Sequence, residues 1–250
     1  MKRLLVIGIG AGNPDYITMQ AVKALNRVDV FFLMDKGQSK DKLIDLRREI
    51  CERYITDRTY RFAEAHSPER ERGVDYSASV DDLNRAKQQT FERLINDELA
   101  DGQCGGFLVW GDPALYDSTI RILQAILASG RCEFEFEVIP GITSVQALAA
   151  QHKVPLNTIG RSIEITTGRR LAAGQVSDTD SLVVMLDAED SYHQVADQET
   201  EIYWGAYLGT PDEILIHGKL GDVADEIERV RKAARAEHGW IMDTYLLRKP

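Results

Sequence analysis

The chain has 250 residues, 44% of them hydrophobic and 28% charged, enough to bury a substantial core in one or two domains. Its net charge of −10 argues against a nucleic-acid binder, and no apolar stretch is long enough for a signal peptide or a membrane helix. Three scattered cysteines (Cys51, Cys104 and Cys132) and five histidines lack metal-ligand spacing, so we expect a cytoplasmic protein without a metal site.

Strands and helices alternate through the first part of the chain. Residues 4–7 form an apolar run that predicts a buried strand, and Thr18 is a predicted N-cap for a helix carrying Ala21, Val22 and Leu25. Residues 30–33 predict a second strand, and Leu43, Leu46 and Ile50 mark a second helix. This alternation favours an α/β fold with a parallel sheet.

Residues 56–82 interrupt the pattern because they are polar and mixed in charge. We predict that they form an extended surface insertion, either a functional excursion or a solvated loop. The alternation then resumes, with predicted helices at 83–99, 120–127 and 143–151 and predicted strands at 106–110 and 133–138. The last strand alternates Phe and Val with Glu, which indicates one solvent-facing side.

Strands become denser and helices fewer after Val154-Pro155. We predict strands at 163–167, 182–186, 202–208, 214–217 and 245–247, with one amphipathic helix at 223–236. The change places a domain boundary between residues 154 and 161. The expected division is an N-terminal α/β domain, 1–156, with a parallel sheet and the insertion, and a C-terminal α/β domain, 157–250, with a mixed sheet.

A glycine-rich turn, Gly8-Ile9-Gly10-Ala11-Gly12, directly follows the first predicted strand. Glycines there permit a sharp turn and close approach of a ligand to the backbone. A dinucleotide fingerprint requires G-x-G-x-x-G, but Asn13 stands at the third glycine position, and Pro14 and Thr18 delay the helix. A P-loop is excluded because no Gly-Lys-Ser/Thr follows. A plain tight turn remains the simpler alternative.

Two further turns follow predicted strands: Trp110-Gly111-Asp112-Pro113-Ala114-Leu115-Tyr116, and Pro140-Gly141-Ile142-Thr143-Ser144. Ligands of open α/β sheets bind outside the carboxyl ends of the strands, so these turns are expected to line one crevice. The Asp112 carboxylate either caps its own turn or takes part in chemistry.

Taken in this order and at this spacing, the three turns resemble those of the tetrapyrrole (corrin/porphyrin) methyltransferases, which use S-adenosyl-L-methionine and release S-adenosyl-L-homocysteine. The resemblance implies a two-domain α/β architecture with the cofactor in the inter-domain cleft, no metal, and a homodimer. Ala11, segment 29–37 and the insertion near 56–82 resemble one branch of the family. That branch methylates ring carbon C1 of precorrin-5 and releases acetate, giving precorrin-6A in cobalamin biosynthesis.

The resemblance also implies site residues. Cofactor contacts map to Gly10, Ala11, Trp110, Gly111, Asp112, Leu115, Thr143, Ser144, Met185, Tyr207, Leu208 and Gly209. Release of acetate calls for a general base and an oxyanion stabiliser, for which Asp112 and Tyr116 are preferred. The other polar candidates are Asp15, Tyr16, Asp187 and Glu189. Basic residues suited to the substrate carboxylates are Lys36, Arg161, Arg169 and Arg170.

Other functions remain open at this level. The chain is alternatively a methyltransferase of the same fold that acts on another precorrin, on diphthamide or on ribosomal RNA, although its acidity weighs against RNA. A nicotinamide-dependent oxidoreductase and a non-enzymatic sensor of S-adenosylmethionine are the alternatives from other classes. The expected partner is a small-molecule tetrapyrrole, not a nucleic acid or a membrane.

Overall fold

The computed structural model describes residues 1–35, 41–68 and 76–250. Lys36, predicted to bind substrate, lies outside the described residues. The chain divides into two compact units, each with its own five-stranded sheet. Unit 1 consists of Met1–Gly10 and Pro14–Thr143, and unit 2 consists of Ala11–Asn13 and Ser144–Pro250. This confirms the expected α/β fold with two sheets.

Unit 1 contains a parallel sheet with the strand order β3-β2-β4-β1-β5. Its strands are β1 (Lys2–Gly8), β2 (Val30–Asp35), β3 (Arg61–His66), β4 (Cys104–Val109) and β5 (Phe134–Ile139). Its helices are α1 (Met19–Leu25), α2 (Asp41–Tyr54), α3 (Tyr76–Glu98) and α4 (Thr119–Ser129), and a 3-10 helix covers Pro14–Tyr16.

The central strand β1 is buried on both faces, which explains its continuous apolar sequence. Leu4 and Val6 pack in the core cluster that includes residues of α3 and α4. Leu5 and Ile7 point to the opposite face and pack with residues of α1 and α2. The side chains of a strand alternate between its two faces, so one short apolar run supplies two cores.

The chain leaves the neighbouring strands β1 and β4 in opposite directions across the sheet. From β1 it passes to β2 on one side, and from β4 it passes to β5 on the other. In open α/β sheets, ligands bind at such a switch point, outside the carboxyl ends of the strands. The predicted glycine turn and the Gly111-Asp112-Pro113 turn follow these two strands.

The predicted insertion at 56–82 is described at residues 56–68 and 76–82, which contain regular structure, while residues 69–75 lie outside the described residues. Arg61–His66 forms β3, an edge strand paired in parallel with β2, and α3 begins at Tyr76, well before the predicted start. The sequence is polar there because an edge strand has an exposed side, and only Ala63 of β3 is buried. Pairing with β2, which is not visible locally in the sequence, determines the strand.

Unit 2 contains a mixed sheet with the strand order β6-β7-β10-β8-β9, in which only β6 and β7 are parallel. Its strands are β6 (Ile163–Thr167), β7 (Ser181–Met185), β8 (Glu201–Ala206), β9 (Ile214–Lys219) and β10 (Asp243–Arg248). Its helices are α5 (Ser144–His152), α6 (Gly168–Ala172) and α7 (Leu220–His238), and a 3-10 helix covers Ser191–Gln194.

Helix α5 groups with unit 2, so the observed division falls one helix earlier than the predicted boundary. The reason is its packing: the helix contacts β8 and β10, and Leu148 is buried in unit 2 against Gly205. Helix α7 covers the other side, where Trp204, Tyr245 and Ile227 share a core. Within the described part of the chain, no helix combines the length and apolar character that a membrane crossing requires.

Candidate functional site

The turns that follow β1 and β4 are joined by two backbone hydrogen bonds. Gly10 N–H donates to Gly111 O at 3.3 Å, and Gly111 N–H donates to Gly10 O at 2.8 Å. Both glycines have positive φ angles, +82° and +70°, which side-chain-bearing residues rarely adopt. The two turns therefore form one rigid unit at the switch point.

The turn after β5 packs against the same pair. A Cβ atom on Gly141 would lie 2.1 Å from Gly111 O, and one on Gly8 would lie 2.6 Å from Gly141 N. No side chain fits at either position without moving backbone. The glycines of the three turns thus bring three strand ends within contact distance, as expected from the sequence.

Asp112 connects the second and third turns through its carboxylate. Its Oδ2 accepts a hydrogen bond from Gly141 N–H at 2.8 Å, and its Oδ1 accepts one from Ala114 N–H at 2.8 Å. Both oxygens are therefore used to hold backbone, which is the capping role considered from the sequence. A direct catalytic role for Asp112 remains a prediction.

The other predicted residues of unit 1 lie on these same turns. Trp110 and Leu115 are half-buried, and Thr143, which follows the Pro140-Gly141 turn, is buried. Tyr116 has a φ angle of +52°, and the residue is 44% exposed. Unit 1 thus gathers its predicted contacts at one edge of its sheet and leaves the Tyr116 side chain accessible.

In unit 2, the end of the glycine turn packs against the turn that follows β8. A Cβ atom on Gly12 would lie 2.2 Å from Leu208 O, so Ala11–Asn13 and the predicted contacts Tyr207, Leu208 and Gly209 are neighbours. The Tyr207 hydroxyl donates to Trp240 O at 2.5 Å, and its ring meets the Trp240 ring edge-on. Tyr207 therefore has its side chain in the core, where burial raises its pKa to about 12.

Ser144 and Met185 meet at the same edge of the unit 2 sheet. The Ser144 Oγ atom lies 3.2 Å from Thr244 Oγ1, and Thr244 pairs with Met185 across β10 and β7. Gly205, two residues before Tyr207, pairs with Thr244 on the other side. The predicted contacts of unit 2 thus also share one sheet edge.

The structure separates the three described arginines that were predicted to bind substrate. Arg169 and Arg170 lie on α6, directly after β6, whose last residue pairs with Met185. Arg161 precedes β6 and pairs with Asp180, with 3.2 Å from Nε to Oδ2. Because five strand residues span about 16 Å, Arg161 lies at the opposite end of the strand from the other two.

Asp187, a candidate base, is buried in a polar network of unit 2. Its oxygens accept hydrogen bonds from Tyr245 OH at 2.7 Å, from Ser191 N–H and Oγ–H, and from Glu189 N–H. Arg231 completes the network: its Nε lies 2.8 Å from Asp243 Oδ2, and it also donates to Asp187 O. Burial raises the pKa of Asp243, and the Arg231 charge opposes that rise.

Sequence reasoning missed two half-buried basic residues, Arg47 on α2 and Lys87 on α3. The Arg47 guanidinium donates from Nε to Leu108 O at 3.0 Å. Helical spacing carries the signal that was overlooked: Arg47 follows Leu43 by four positions, and Lys87 precedes Phe91 by four. Both basic side chains therefore lie along the apolar faces of their helices, where a charge is unusual.

One group of three metal-ligating side chains occurs in the described residues: His193, Asp225 and Glu228, with ligand atoms within 4.8 Å of one another. His193 and Asp225 are exposed, and Lys232 forms an ion pair with Glu228. Lys232 already neutralises the Glu228 carboxylate, so these three side chains give no reason to propose a metal ion in the reaction.

Comparison with known proteins places this geometry in a family. The model of the tetrapyrrole (corrin/porphyrin) methylases matches residues 3–224. The chain is 52% identical over 250 residues to "Precorrin-6A synthase [deacetylating]" of Sinorhizobium sp., covering 100% of this chain and 96% of that protein.

Two solved structures share the fold. A protein of Corynebacterium diphtheriae described as related to cobalamin synthesis, CobF, is 34% identical with a TM-score of 0.83, covering 99% of this chain and 98% of that one. A uroporphyrin-III C-methyltransferase from Thermus thermophilus, complexed with S-adenosyl homocysteine, is 17% identical with a TM-score of 0.59, covering 98% and 91%. The chain with the three joined glycine turns therefore belongs to the tetrapyrrole (corrin/porphyrin) methylases.

Proposed function

We propose that this chain is an S-adenosylmethionine-dependent methyltransferase of cobalamin biosynthesis. It methylates ring carbon C1 of precorrin-5 with loss of acetate and gives precorrin-6A. The single observation that carries the proposal is the 52% identity, over the whole chain, to a deacetylating precorrin-6A synthase. Ala11 in the glycine turn, a feature that resembles this branch of the family, agrees with it.

The turns of unit 1 suit a cofactor that is bound mainly through backbone. Gly111 has room for a ligand, since the nearest heavy atom to a Cβ built there is Thr143 Cα at 3.7 Å. Trp110, Leu115 and Thr143 add apolar and hydroxyl surface beside it. In unit 2, the proposed contacts are Ala11, Ser144, Met185, Tyr207, Leu208 and Gly209, with Tyr207 contributing backbone because its side chain is in the core.

S-adenosylmethionine supplies an activated methyl group, so the chain's own residues mainly have to bind and orient the reactants. Three turns held by direct hydrogen bonds and by glycine packing provide a rigid frame for this purpose. Rigid positioning is effective because it removes the entropic cost of aligning the donor and the ring carbon. The reaction as proposed uses no metal.

Loss of acetate requires water to add to the acetyl carbonyl carbon. The bond between that carbon and the ring then breaks, its electron pair stays with the ring, and acetate and two protons leave. We assign Tyr116 the direct role of hydrogen-bonding the acetyl oxygen, because its side chain is exposed beside the glycine turns. Asp112, whose oxygens hold Gly141 and Ala114, positions the turn that carries Tyr116.

The proposal extends to the location, the oligomeric state and the binding partners of the enzyme. We place it in the cytoplasm as a homodimer that acts on a small-molecule tetrapyrrole and on neither nucleic acid nor membrane. The net charge of −10 supports the exclusion of nucleic acid. Sedimentation of the purified chain with S-adenosylhomocysteine tests the dimer, and a monomeric mass would reject it.

The deciding experiment is anaerobic incubation of the purified chain with precorrin-5 and methyl-labelled S-adenosylmethionine. We expect equal amounts of labelled precorrin-6A and acetate, detected by mass spectrometry. Parallel reactions with other precorrins serve as controls. Methylation of a different precorrin without acetate would assign the chain to another branch, and binding of NADH without S-adenosylhomocysteine would indicate an oxidoreductase.

A further inference from the structure

Leu186 combines a strained backbone with an exposed apolar side chain. It directly follows β7, its φ angle is +54°, and the residue is 63% exposed. The left-handed region is unfavourable for a bulky residue, and an exposed leucine gains little from the core. Among the residues that the structure describes, Tyr116 is the one other large apolar or aromatic residue with both properties, and it lies in the turn after β4.

The next residue, Asp187, explains why the backbone keeps this conformation. Its carboxylate accepts a hydrogen bond from Tyr245 OH at 2.7 Å, and its backbone carbonyl accepts one from Arg231. A Cβ atom on Gly168 would lie 2.4 Å from Asp187 Cγ, so α6 begins in direct contact with this residue. The core therefore holds Asp187 from several sides, and the backbone strain falls on Leu186.

Leu186 lies at the sheet edge where the predicted contacts of unit 2 gather. Strands β7 and β8 both run antiparallel to β10, and Thr244 of β10 pairs with Met185 on one side and Gly205 on the other. The ends of β7 and β8 thus share one edge and lie roughly 10 Å apart across β10. Leu186 follows one of these ends and Tyr207 the other, a separation that a single nucleoside or tetrapyrrole can bridge.

The chemistry of the leucine side chain restricts what it can contact. It carries neither a charge nor a hydrogen-bonding group, so it stabilises a ligand only by covering apolar surface. The face of a conjugated ring presents such surface. Because the backbone at Leu186 is already fixed, little conformational entropy remains to be lost there when a ligand binds.

We propose that Leu186 is a binding residue that packs against the face of a conjugated ring at this edge of unit 2. The inference rests on the proposed function, which supplies two such rings, the adenine of the cofactor and the macrocycle of the substrate. Glycine or asparagine would adopt this φ angle with less strain. Contact with a ligand, and not the conformation of the turn, therefore accounts for a leucine at this position.

The principal test is Leu186→Asn, because asparagine adopts the left-handed conformation readily and is close to leucine in size, but presents a polar amide. If the ring is adenine, we expect the Kd for S-adenosylhomocysteine, measured by calorimetry, to rise about tenfold. If the ring is the macrocycle, we expect that Kd to stay unchanged and the KM for precorrin-5 to rise about tenfold. Leu186→Met keeps an apolar side chain and is expected to restore the affected constant to within about threefold.

The melting temperature separates a binding role from a structural one. Leu186→Asn relieves strain and removes no core packing, so we expect its melting temperature to equal or exceed that of the wild type. The matched control is Lys153→Asn. Lys153 is exposed, has a φ angle of +58° and follows α5, about 13 Å along that helix from Ser144. The control is expected to relieve similar strain and to leave both Kd and KM unchanged.

Unchanged Kd and KM in Leu186→Asn would overturn the proposal. A melting temperature below that of the wild type would also overturn it, because Leu186 would then serve the fold.

Failure of the reaction assignment is distinguishable from failure of this contact. If the wild type releases no acetate from precorrin-5, binding of uroporphyrin III, followed by fluorescence, replaces KM as the measure of macrocycle binding. Weaker binding of S-adenosylhomocysteine or uroporphyrin by Leu186→Asn would then support the contact while the reaction assignment fails. If the wild type is active and neither Kd nor KM responds to Leu186→Asn, the contact fails and the reaction stands.

Discussion

Asp112 accepts a hydrogen bond from the backbone N–H of Gly141 at 2.8 Å, so one carboxylate ties the turn after β4 to the turn after β5. The two residues are 29 positions apart in the sequence. Since Ala114 N–H occupies the other carboxylate oxygen, Asp112 is placed to fix the shape of these two turns.

Replacement of Asp112 separates positioning from catalysis. Asp112→Ala leaves two backbone donors without acceptors, at a cost of about 1–3 kcal/mol each where they are shielded from water. We expect weaker S-adenosylhomocysteine binding by calorimetry and a lower melting temperature. Asp112→Asn keeps one acceptor oxygen and is expected to have an intermediate effect on both. Loss of acetate release by Asp112→Asn with unchanged cofactor affinity would instead make Asp112 the base.

Tyr116→Phe tests the residue that we assign to the acetyl group. Loss of one oxyanion donor typically lowers kcat by about 10²–10³-fold, and we expect a loss in that range for acetate release. Cofactor affinity is expected to stay the same, because the ring remains. The control is Tyr60→Phe, which precedes β3 at the other end of the sheet. An unchanged kcat for Tyr116→Phe would remove Tyr116 from the mechanism.

Gly141→Ala tests the close approach of the three turns. Its added methyl group would lie 2.1 Å from Gly111 O, so the turns have to move apart. We expect at least a tenfold loss of S-adenosylhomocysteine affinity. Gly130→Ala is the control: its φ angle is +66°, but its Cβ meets nothing within 4 Å, so it is expected to cost only about 1–2 kcal/mol of stability. Equal cofactor affinities for the two variants would contradict the packing argument.

Arg231→Met tests the buried network of unit 2. It removes the partner of Asp243, whose side chain is buried, and a donor to Asp187 O. Breaking a buried ion pair from one side costs about 3–5 kcal/mol, because a buried charge is left alone. Urea unfolding followed by circular dichroism measures the loss. Arg229→Met, an exposed position on the same helix, is expected to change stability by less than about 0.5 kcal/mol.

Cys51 predicts a pH dependence of stability. Burial raises the pKa of its thiol from 9.0 to about 12. The folded state therefore retains the proton, while the unfolded chain loses it above pH 9, so stability falls as the pH rises from 9 towards 12. Between pH 8 and pH 10 the contribution of Cys51 falls by about 1.4 kcal/mol.

The variant Cys51→Ala isolates this effect from those of other groups that titrate at high pH. The wild type's free energy of unfolding, taken relative to that of Cys51→Ala, is expected to fall by about 1.4 kcal/mol between pH 8 and pH 10. Urea unfolding of both proteins at pH 8 and pH 10 provides the measurement, and a constant difference would contradict the predicted shift.

Several features were determined by the sequence alone, because each depends on local periodicity or on turn chemistry. The apolar run of β1 and the alternation in β5 predicted strands that the structure confirms. Thr18 is the N-cap of α1, as predicted, and its Oγ1 accepts Ala21 N–H at 3.1 Å. The glycine turns indicated the family because the local backbone conformation requires glycine at these positions, and such a requirement is visible in the sequence.

Only the tertiary structure decided which side chains are neighbours. Strand β3 depends on pairing with β2, and Asp112 depends on a backbone amide that only the return of the chain to β5 brings close. Arg47 lies on α2, and nothing in its own segment shows that its guanidinium meets Leu108 O of β4. Contacts between distant segments depend on how the whole chain packs, which local sequence patterns do not encode.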